Sequence, residues 1–278
     1  MYPVRESRSA DYHTHASVVS DGLTNSKKTR AVLFDLGGTL EDVYYDDALR
    51  LQATPGFHEI LVKHDLDPGL TIPDLYATLK TGMKEYQIWR EASERELPPA
   101  RVWREFVFAK YNFTQGQFDA VGEELAFYWD TRFSRRTMRP QVPALLKVLR
   151  ERGLRLGVIS NILSRNMVPH QLAGYGICEY FQAVLASSVF GWRKPSPRIF
   201  LDAARQLNLA PGECAYVGDT VSRDVVGARR AGYALAIQIK SFLTARSDRA
   251  TDVEPPDAVV QSLTEVVDLV CPLREHSH

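Results

Sequence analysis

Four short apolar runs, each stopped by polar or glycine residues, limit what this chain can fold into. Ala31-Val32-Leu33-Phe34 runs into Asp35 and then Gly37-Gly38-Thr39. Leu154 to Ile159 runs into Ser160-Asn161, and Cys214 to Val217 runs into Gly218-Asp219. Ala234 to Ile239 is the fourth, and Ala183 to Ala186 is a weaker run of the same kind. Short continuous apolar runs bounded by turn residues read as strands buried on both faces. Helical patterns lie between them. Pro143 opens one, Leu145, Leu146 and Leu149 supply its face, and Gly153 ends it. Phe200, Ala203, Ala204 and Leu207 follow the i, i+3, i+4, i+7 period, and Ser222 caps a helix through Val225 and Ala228 to Gly232. This alternation predicts an α/β fold, a parallel sheet with helices on both faces. Ligands bind such sheets at the carboxyl ends of the strands, where Asp35, Ser160 and Asp219 fall.

Residues 41–138 break the alternation and read as all-helical, around 48–65, 73–91, 99–109 and 115–130. The expected organisation is an α/β core from 30–40 and 139–278, with a helical insert between. The insert holds 16 of the 28 aromatic residues, so most of them are expected to build its own core rather than line a pocket. Residues 1–29 are polar without hydrophobic period and read as a mobile arm, with His13 and His15 as solvated side chains.

Lys plus Arg and Asp plus Glu both number 34, a formal charge of zero. That balance argues against a nucleic-acid binder relying on a basic field and against a polybasic membrane anchor. No apolar run approaches the roughly 18 residues of a membrane span, and no secretory signal opens the chain. Three scattered cysteines, Cys178, Cys214 and Cys271, fit reduced thiols, so a cytoplasmic location is expected.

The strand ends carry the chemistry. Asp35 precedes a glycine pair that lets backbone approach a ligand closely. Ser160-Asn161 offers a hydroxyl and N–H groups to an anionic oxygen. Lys194 sits in Gly191-Trp192-Arg193-Lys194-Pro195-Ser196-Pro197, where two prolines restrain the loop. Asp219 and Asp224 are five residues apart, across a strand end and the next helical turn. Carboxylates in that arrangement suit a hard cation. Each segment alone also reads as a turn, a cap or a solvated loop.

Together, in this order, the four segments resemble the haloacid dehalogenase-like hydrolase superfamily. Asp35-Leu36-Gly37-Gly38-Thr39-Leu40 is similar to its first motif, Asp-x-Asp-Gly-Thr-Leu. Gly157 to Asn161, Lys194-Pro195 and Gly218-Asp219 with Asp224 match the other three. The resemblance spans about residues 30–270 and implies a Rossmann-like three-layer core with an inserted α-helical cap of the C1 type. It implies a phosphatase acting on a small phosphorylated metabolite, with Asp35 as nucleophile forming an aspartyl-phosphate. It further implies Mg²⁺ held by Asp35, the Gly37 carbonyl, Asp219 and Asp224. Ser160 and Lys194 would be catalytic, with Thr39, Ser160, Asn161 and Lys194 around the phosphate.

The sequence departs from the motif at Gly37, where the family carries its acid–base aspartate. Glycine keeps the carbonyl but transfers no proton, an effect worth typically about 10²–10⁴-fold. Glu41, Asp42 or a cap residue are the substitutes in reach. Two other readings follow from the gap. One is a phosphonatase-like C–P hydrolase using Lys63, Lys80 or Lys84 as a Schiff base; the other is a degenerate member that only binds a phosphorylated ligand or partner. A metal-independent dehalogenase is disfavoured by retention of both Asp219 and Asp224.

Overall fold

The apolar runs form the strands the pattern predicts. The computed structural model describes residues 29–244 and 255–271; the expected N-terminal arm, apart from Thr29, lies outside the described residues. In chain order the strands are β1 (Ala31–Phe34), β2 (Glu41–Tyr44), β3 (Arg135–Met138), β4 (Arg155–Ser160), β5 (Ala183–Ala186), β6 (Cys214–Gly218), β7 (Leu235–Ile239) and β8 (Ala258–Val260). Six form one parallel sheet in the order β5-β4-β1-β6-β7-β8. The chain leaves β1 toward β4 and β5, then returns to its other side for β6, β7 and β8. Strand order therefore reverses around β1, and the crevice at its carboxyl end is the ligand position of such sheets.

The helices are α1 (Asp47–Lys63), α2 (Ile72–Ser93), α3 (Pro99–Val102), α4 (Gln115–Arg132), α5 (Val142–Glu151), α6 (Met167–Gly174), α7 (Ser187–Phe190), α8 (Pro197–Gln206), α9 (Val226–Arg230) and α10 (Val266–Val270). Alternation along β1 sends Val32 and Phe34 to one face and Ala31 and Leu33 to the other. The first pair packs with Leu145, Leu146 and Leu149 of α5, Met167 and Leu172 of α6, and Val266 of α10. The second packs with Ile199, Phe200, Ala203 and Ala204 of α8 and Ala228 of α9. These are the three layers: helices, sheet, helices. Burying each large apolar side chain is worth about 1.5–3 kcal/mol, so both faces of the sheet contribute to holding the strand ends in register.

Helices α1 to α4 form the cap over the strand ends, as the insert predicts. Phe57, Trp103, Phe108, Phe118 and Phe133 are buried in its own core, with the Phe57 and Trp103 rings 5.3 Å apart. The all-helical reading of 41–138 needs correction at both ends. Glu41–Tyr44 pairs antiparallel with Arg135–Met138, a two-stranded ribbon through which the chain enters and leaves the cap. Alternation in β2 is present, with Glu41 and Val43 buried and Asp42 and Tyr44 exposed, but a charged residue occupies a buried position and hides it. The helix expected over 99–109 is also shorter: α3 passes at Trp103–Val107 into a π-helical turn. Strand β8 has no counterpart among the predicted elements.

Two clasps hold the cap down. After α2, Glu96 N–H donates to the Gly191 carbonyl (3.1 Å) and Arg193 N–H to the Glu94 carbonyl (3.0 Å). From α4, Glu123 accepts from the N–H groups of Arg165 (3.0 Å) and Asn166 (3.1 Å). No helix among the described residues is long and apolar enough to cross a membrane.

Candidate active site

The carboxyl ends of β1, β4 and β6 bring Asp35, Ser160 and Asp219 together because these three strands are neighbours. Asp35 follows β1 directly, its N–H bonded to the Val217 carbonyl of β6 at 2.9 Å. Its Oδ1 accepts from Leu36 N–H at 2.8 Å and faces Lys194 Nζ at 2.8 Å. Lys194 Nζ also meets Asp224 Oδ1 at 2.6 Å and donates to the Tyr216 hydroxyl oxygen at 2.9 Å. The lysine is only 2% exposed, so its charge is compensated by carboxylates rather than by water.

Asn161 holds that lysine by its main chain: its Oδ1 accepts from Lys194 N–H and its Nδ2 donates to the Lys194 carbonyl, both at 2.9 Å. The Asn161 side chain therefore positions the lysine, which leaves its backbone amide for a ligand. Asp219 accepts from Ser241 Oγ at 2.6 Å and Thr220 Oγ1 at 2.9 Å, and Asp224 accepts from Thr220 N–H at 3.0 Å. Two glycines make this packing possible. A Cβ on Gly38, whose φ is +90°, would lie 2.4 Å from Asp219 Oδ2, and one on Gly218 would lie 2.3 Å from the Asp224 carboxyl carbon.

Above these groups is a cavity of about 210 Å³. Its floor includes Asp35, Gly37, Ser160, Asn161 and Lys194, and the cap supplies Arg50, Arg90, Trp129, Asp130, Phe133 and Arg136. Asp219 and Asp224 lie buried beneath that floor. Thr39 is also fully buried, off the cavity wall, with no partner for its Oγ1 among the described residues. Most cap aromatics serve the cap core, as expected, while Tyr45, Trp129 and Phe133 reach the cavity.

Asp35, Asp219 and Asp224 offer carboxylate oxygens that all lie within 4.8 Å of one another. Burial pushes the Asp35 carboxyl up to about 7; Lys194 pulls it down, and Asp224 and Asp219 push it further up. Burial, then Asp224, raises Asp219 as well. One buried lysine pairs with two of these three buried carboxylates, Asp35 and Asp224, so the cluster has more acidic than basic groups and burial penalises its negative charge. An all-oxygen donor set with surplus charge fits a hard divalent cation.

The sequence model of the haloacid dehalogenase-like hydrolases matches residues 29–232. The chain belongs to this family. The hydrolase is 29% identical over 241 residues to a glyceraldehyde 3-phosphate phosphatase of Methanopyrus kandleri, covering 87% of this chain and 97% of that one. It is 33% identical over 184 residues to a phosphoserine phosphatase of Thermus thermophilus, covering 64% of this chain and 71% of that one. Among solved structures, a 2-haloacid dehalogenase from Pseudomonas syringae pv. Tomato superposes with a TM-score of 0.59 at 22% identity, over 87% of this chain and 98% of that one. That last likeness is one of fold.

Two of the three substitutes expected for the acid at Gly37, Glu41 and Asp42, are paired with arginines and do not line the cavity; the third was a cap residue. Glu41 is fully buried, with one carboxylate oxygen on Arg136 and the other accepting from the Tyr175 hydroxyl at 2.8 Å. Asp42 is on the exposed face of β2, paired with Arg139. The Schiff-base candidates are off the site too. Lys63 pairs with Glu124, Lys80 with Asp47, and Lys84 bonds Gln87; all three are exposed and none lines the cavity.

Several residues of the site escaped the sequence reading. Tyr216 was visible only as a hydroxyl within a buried strand, and Ser241 as a polar residue just past β7. Glu96 had no local signal. It is fully buried, accepting from Tyr86 Oη (2.5 Å), Ser187 Oγ (2.7 Å) and Arg193 Nη1 (2.8 Å). Burial pulls the Arg193 guanidinium down to about 10, so it stays charged at neutral pH beside Lys194. The cap thus reaches the Lys194 loop through a buried ion pair.

Proposed function

We propose that this hydrolase is a phosphatase that removes phosphate from a small phosphorylated metabolite through an aspartyl-phosphate on Asp35. The observation that carries the proposal is a buried carboxylate held against a lysine on the floor of a cavity between core and cap, with two further carboxylates close to it. Both curated relatives are named as phosphatases, which supports the reaction class. Asp35, Asp219 and Asp224, with the Gly37 carbonyl, would hold Mg²⁺. When bound, Mg²⁺ supplies the positive charge that lets an anionic nucleophile approach an anionic phosphate.

The residues of the chain do the rest. Lys194, 2.8 Å from Asp35 Oδ1, orients the nucleophile and attracts the transferring oxygens. Ser160, on the cavity wall, and the Asn161 amide offer hydrogen bonds to the same oxygens. Asp35 attacks phosphorus, the bond to the leaving oxygen breaks, and water then attacks phosphorus to release phosphate and restore the carboxylate. The clasped cap excludes bulk water and limits substrate size to what the cavity admits.

The decisive experiment screens acyl, aryl and alkyl phosphates for phosphate release with Mg²⁺ and with EDTA. Mg²⁺-dependent release from at least one class is expected, lost in Asp35→Asn. Equal release with EDTA, or none from any class, overturns the reading.

A further inference from the structure

Gly37 leaves the floor of the cavity without the acid–base carboxyl of the family motif, and a poor leaving group needs a proton. A replacement must face the cavity, be held in one orientation and keep a proton near neutral pH. Asp35 and Asp130 are the two carboxylates on the cavity wall among the described residues, and Asp35 is the nucleophile.

Asp130 stands in the last turn of α4, on the cap side of the cavity. Its Oδ2 accepts from two main-chain N–H groups of the loop after β4, Leu163 at 3.1 Å and Ser164 at 2.7 Å. Both bonds fall on the same oxygen, so the carboxyl is oriented while Oδ1 forms no hydrogen bond with the described residues. The residue is 8% exposed. The charged groups facing it are Arg136 of β3, Arg90 of α2 and Glu96 from the segment after α2; the loop after β4 presents main-chain N–H groups. Burial outweighs the lowering by the Ser164 N–H and the two arginines, and pushes the Asp130 carboxyl up to about 6. Two cavity carboxyls thus sit in different surroundings: Asp35 against a lysine, Asp130 against backbone amides. Such a division is how acid and nucleophile are separated within one site.

We propose that Asp130 is the general acid of this hydrolase, donating its proton through Oδ1 to the leaving oxygen from the cap side. The proposal rests on the phosphatase reading. As Asp35 attacks, the electron pair of the breaking P–O bond goes to the leaving oxygen. The Asp130 proton joins it there, which releases an alcohol and leaves Asp130 as a carboxylate. In the second half, water attacks phosphorus, its proton leaves on the released phosphate, Asp35 is restored as a carboxylate and Asp130 regains its proton from solvent, so only the first half depends on this acid.

The discriminating variant is Asp130→Asn. Its carbonyl oxygen still accepts from Leu163 and Ser164, so the loop stays capped while the transferable proton is gone. With Mg²⁺, p-nitrophenyl phosphate and glycerol phosphate are compared on both proteins. Alkyl turnover should fall by about 10²–10⁴-fold while aryl turnover stays within about threefold. Equal losses on both substrates would mean that Asp130 only caps the loop, and no loss would mean that another group gives the proton; either overturns the proposal. If the variant does not fold, the wild-type pH profile still decides. Alkyl turnover should decline above about pH 6 and aryl turnover should not, whereas parallel profiles overturn the assignment. A wild type inert toward every phosphate sinks the phosphatase reading and this acid with it; an active wild type with equal losses sinks the acid alone.

Discussion

Replacing Asp35 by Asn separates the chemistry of the site from its energetic cost. Both groups that hold the carboxylate, Leu36 N–H and Lys194 Nζ, meet the same Oδ1 at 2.8 Å. An amide retains that oxygen, so Asp35→Asn keeps both contacts and loses only a charge and a nucleophile. In the metal-free protein burial pushes the Asp35 carboxyl from 3.8 up to about 7, so the folded state holds the proton more tightly than the unfolded chain. Below about pH 4 both states are protonated and the full stability is present. Between about pH 4 and 7 only the folded state keeps the proton, and stability falls as pH rises. Above about pH 7 the whole cost is felt. At about 1.4 kcal/mol per pH unit, the shift corresponds to roughly 4 kcal/mol. In EDTA, the Asn variant should therefore match the wild type near pH 4 and exceed it by up to this amount near pH 8. Urea unfolding of both proteins across that range measures the difference. Saturating Mg²⁺ should stabilise the wild type more, by about 2.7 kcal/mol at one hundred times its Kd, because the variant lacks a charged ligand. Turnover by the variant should be under a few per cent. A stability difference that stays flat with pH, or a variant less stable than the wild type near pH 8, would refute the assignment of a buried, penalised charge to Asp35.

Three further outcomes follow from the same geometry. Asp219→Ala should weaken Mg²⁺ binding more than Lys194→Ala in a calorimetric titration, since only the first removes a proposed ligand. Glu96→Ala should cost about 3–5 kcal/mol in urea unfolding, because it leaves the Arg193 charge buried without its carboxylate; a loss under about 1 kcal/mol would mean that water replaces the pair. Gly37→Asp should fold, since the nearest atoms to its Cβ, Arg136 Nη1 and Val43 Cγ2, are at 3.4 Å. Placed in the Asp130→Asn background, it should restore alkyl phosphate turnover in the leaving-group series, and failure to do so would place the new carboxylate out of reach of the leaving oxygen.

The parallel sheet, its capped insert and the strand-end positions of Asp35, Ser160 and Asp219 were legible in the chain itself. Their signals are local: an apolar run and the residue that stops it are neighbours in sequence. Lys194 and Asp224 became legible through the order of four such segments. What escaped depends on groups far apart along the chain. Glu41 breaks the apolar alternation of β2 and is buried only because Arg136, 95 positions later, neutralises it, so the ribbon is invisible until both strands are in place. Glu96 meets Arg193 across 97 positions and Tyr216 meets Lys194 across 22, with no periodicity to announce either. Asp130 ends a helix that any acidic residue could occupy. Only the packing of the cap on the core, with the Ser164 amide 34 positions away, turns it inward and desolvates it, and desolvation has no signature in a sequence.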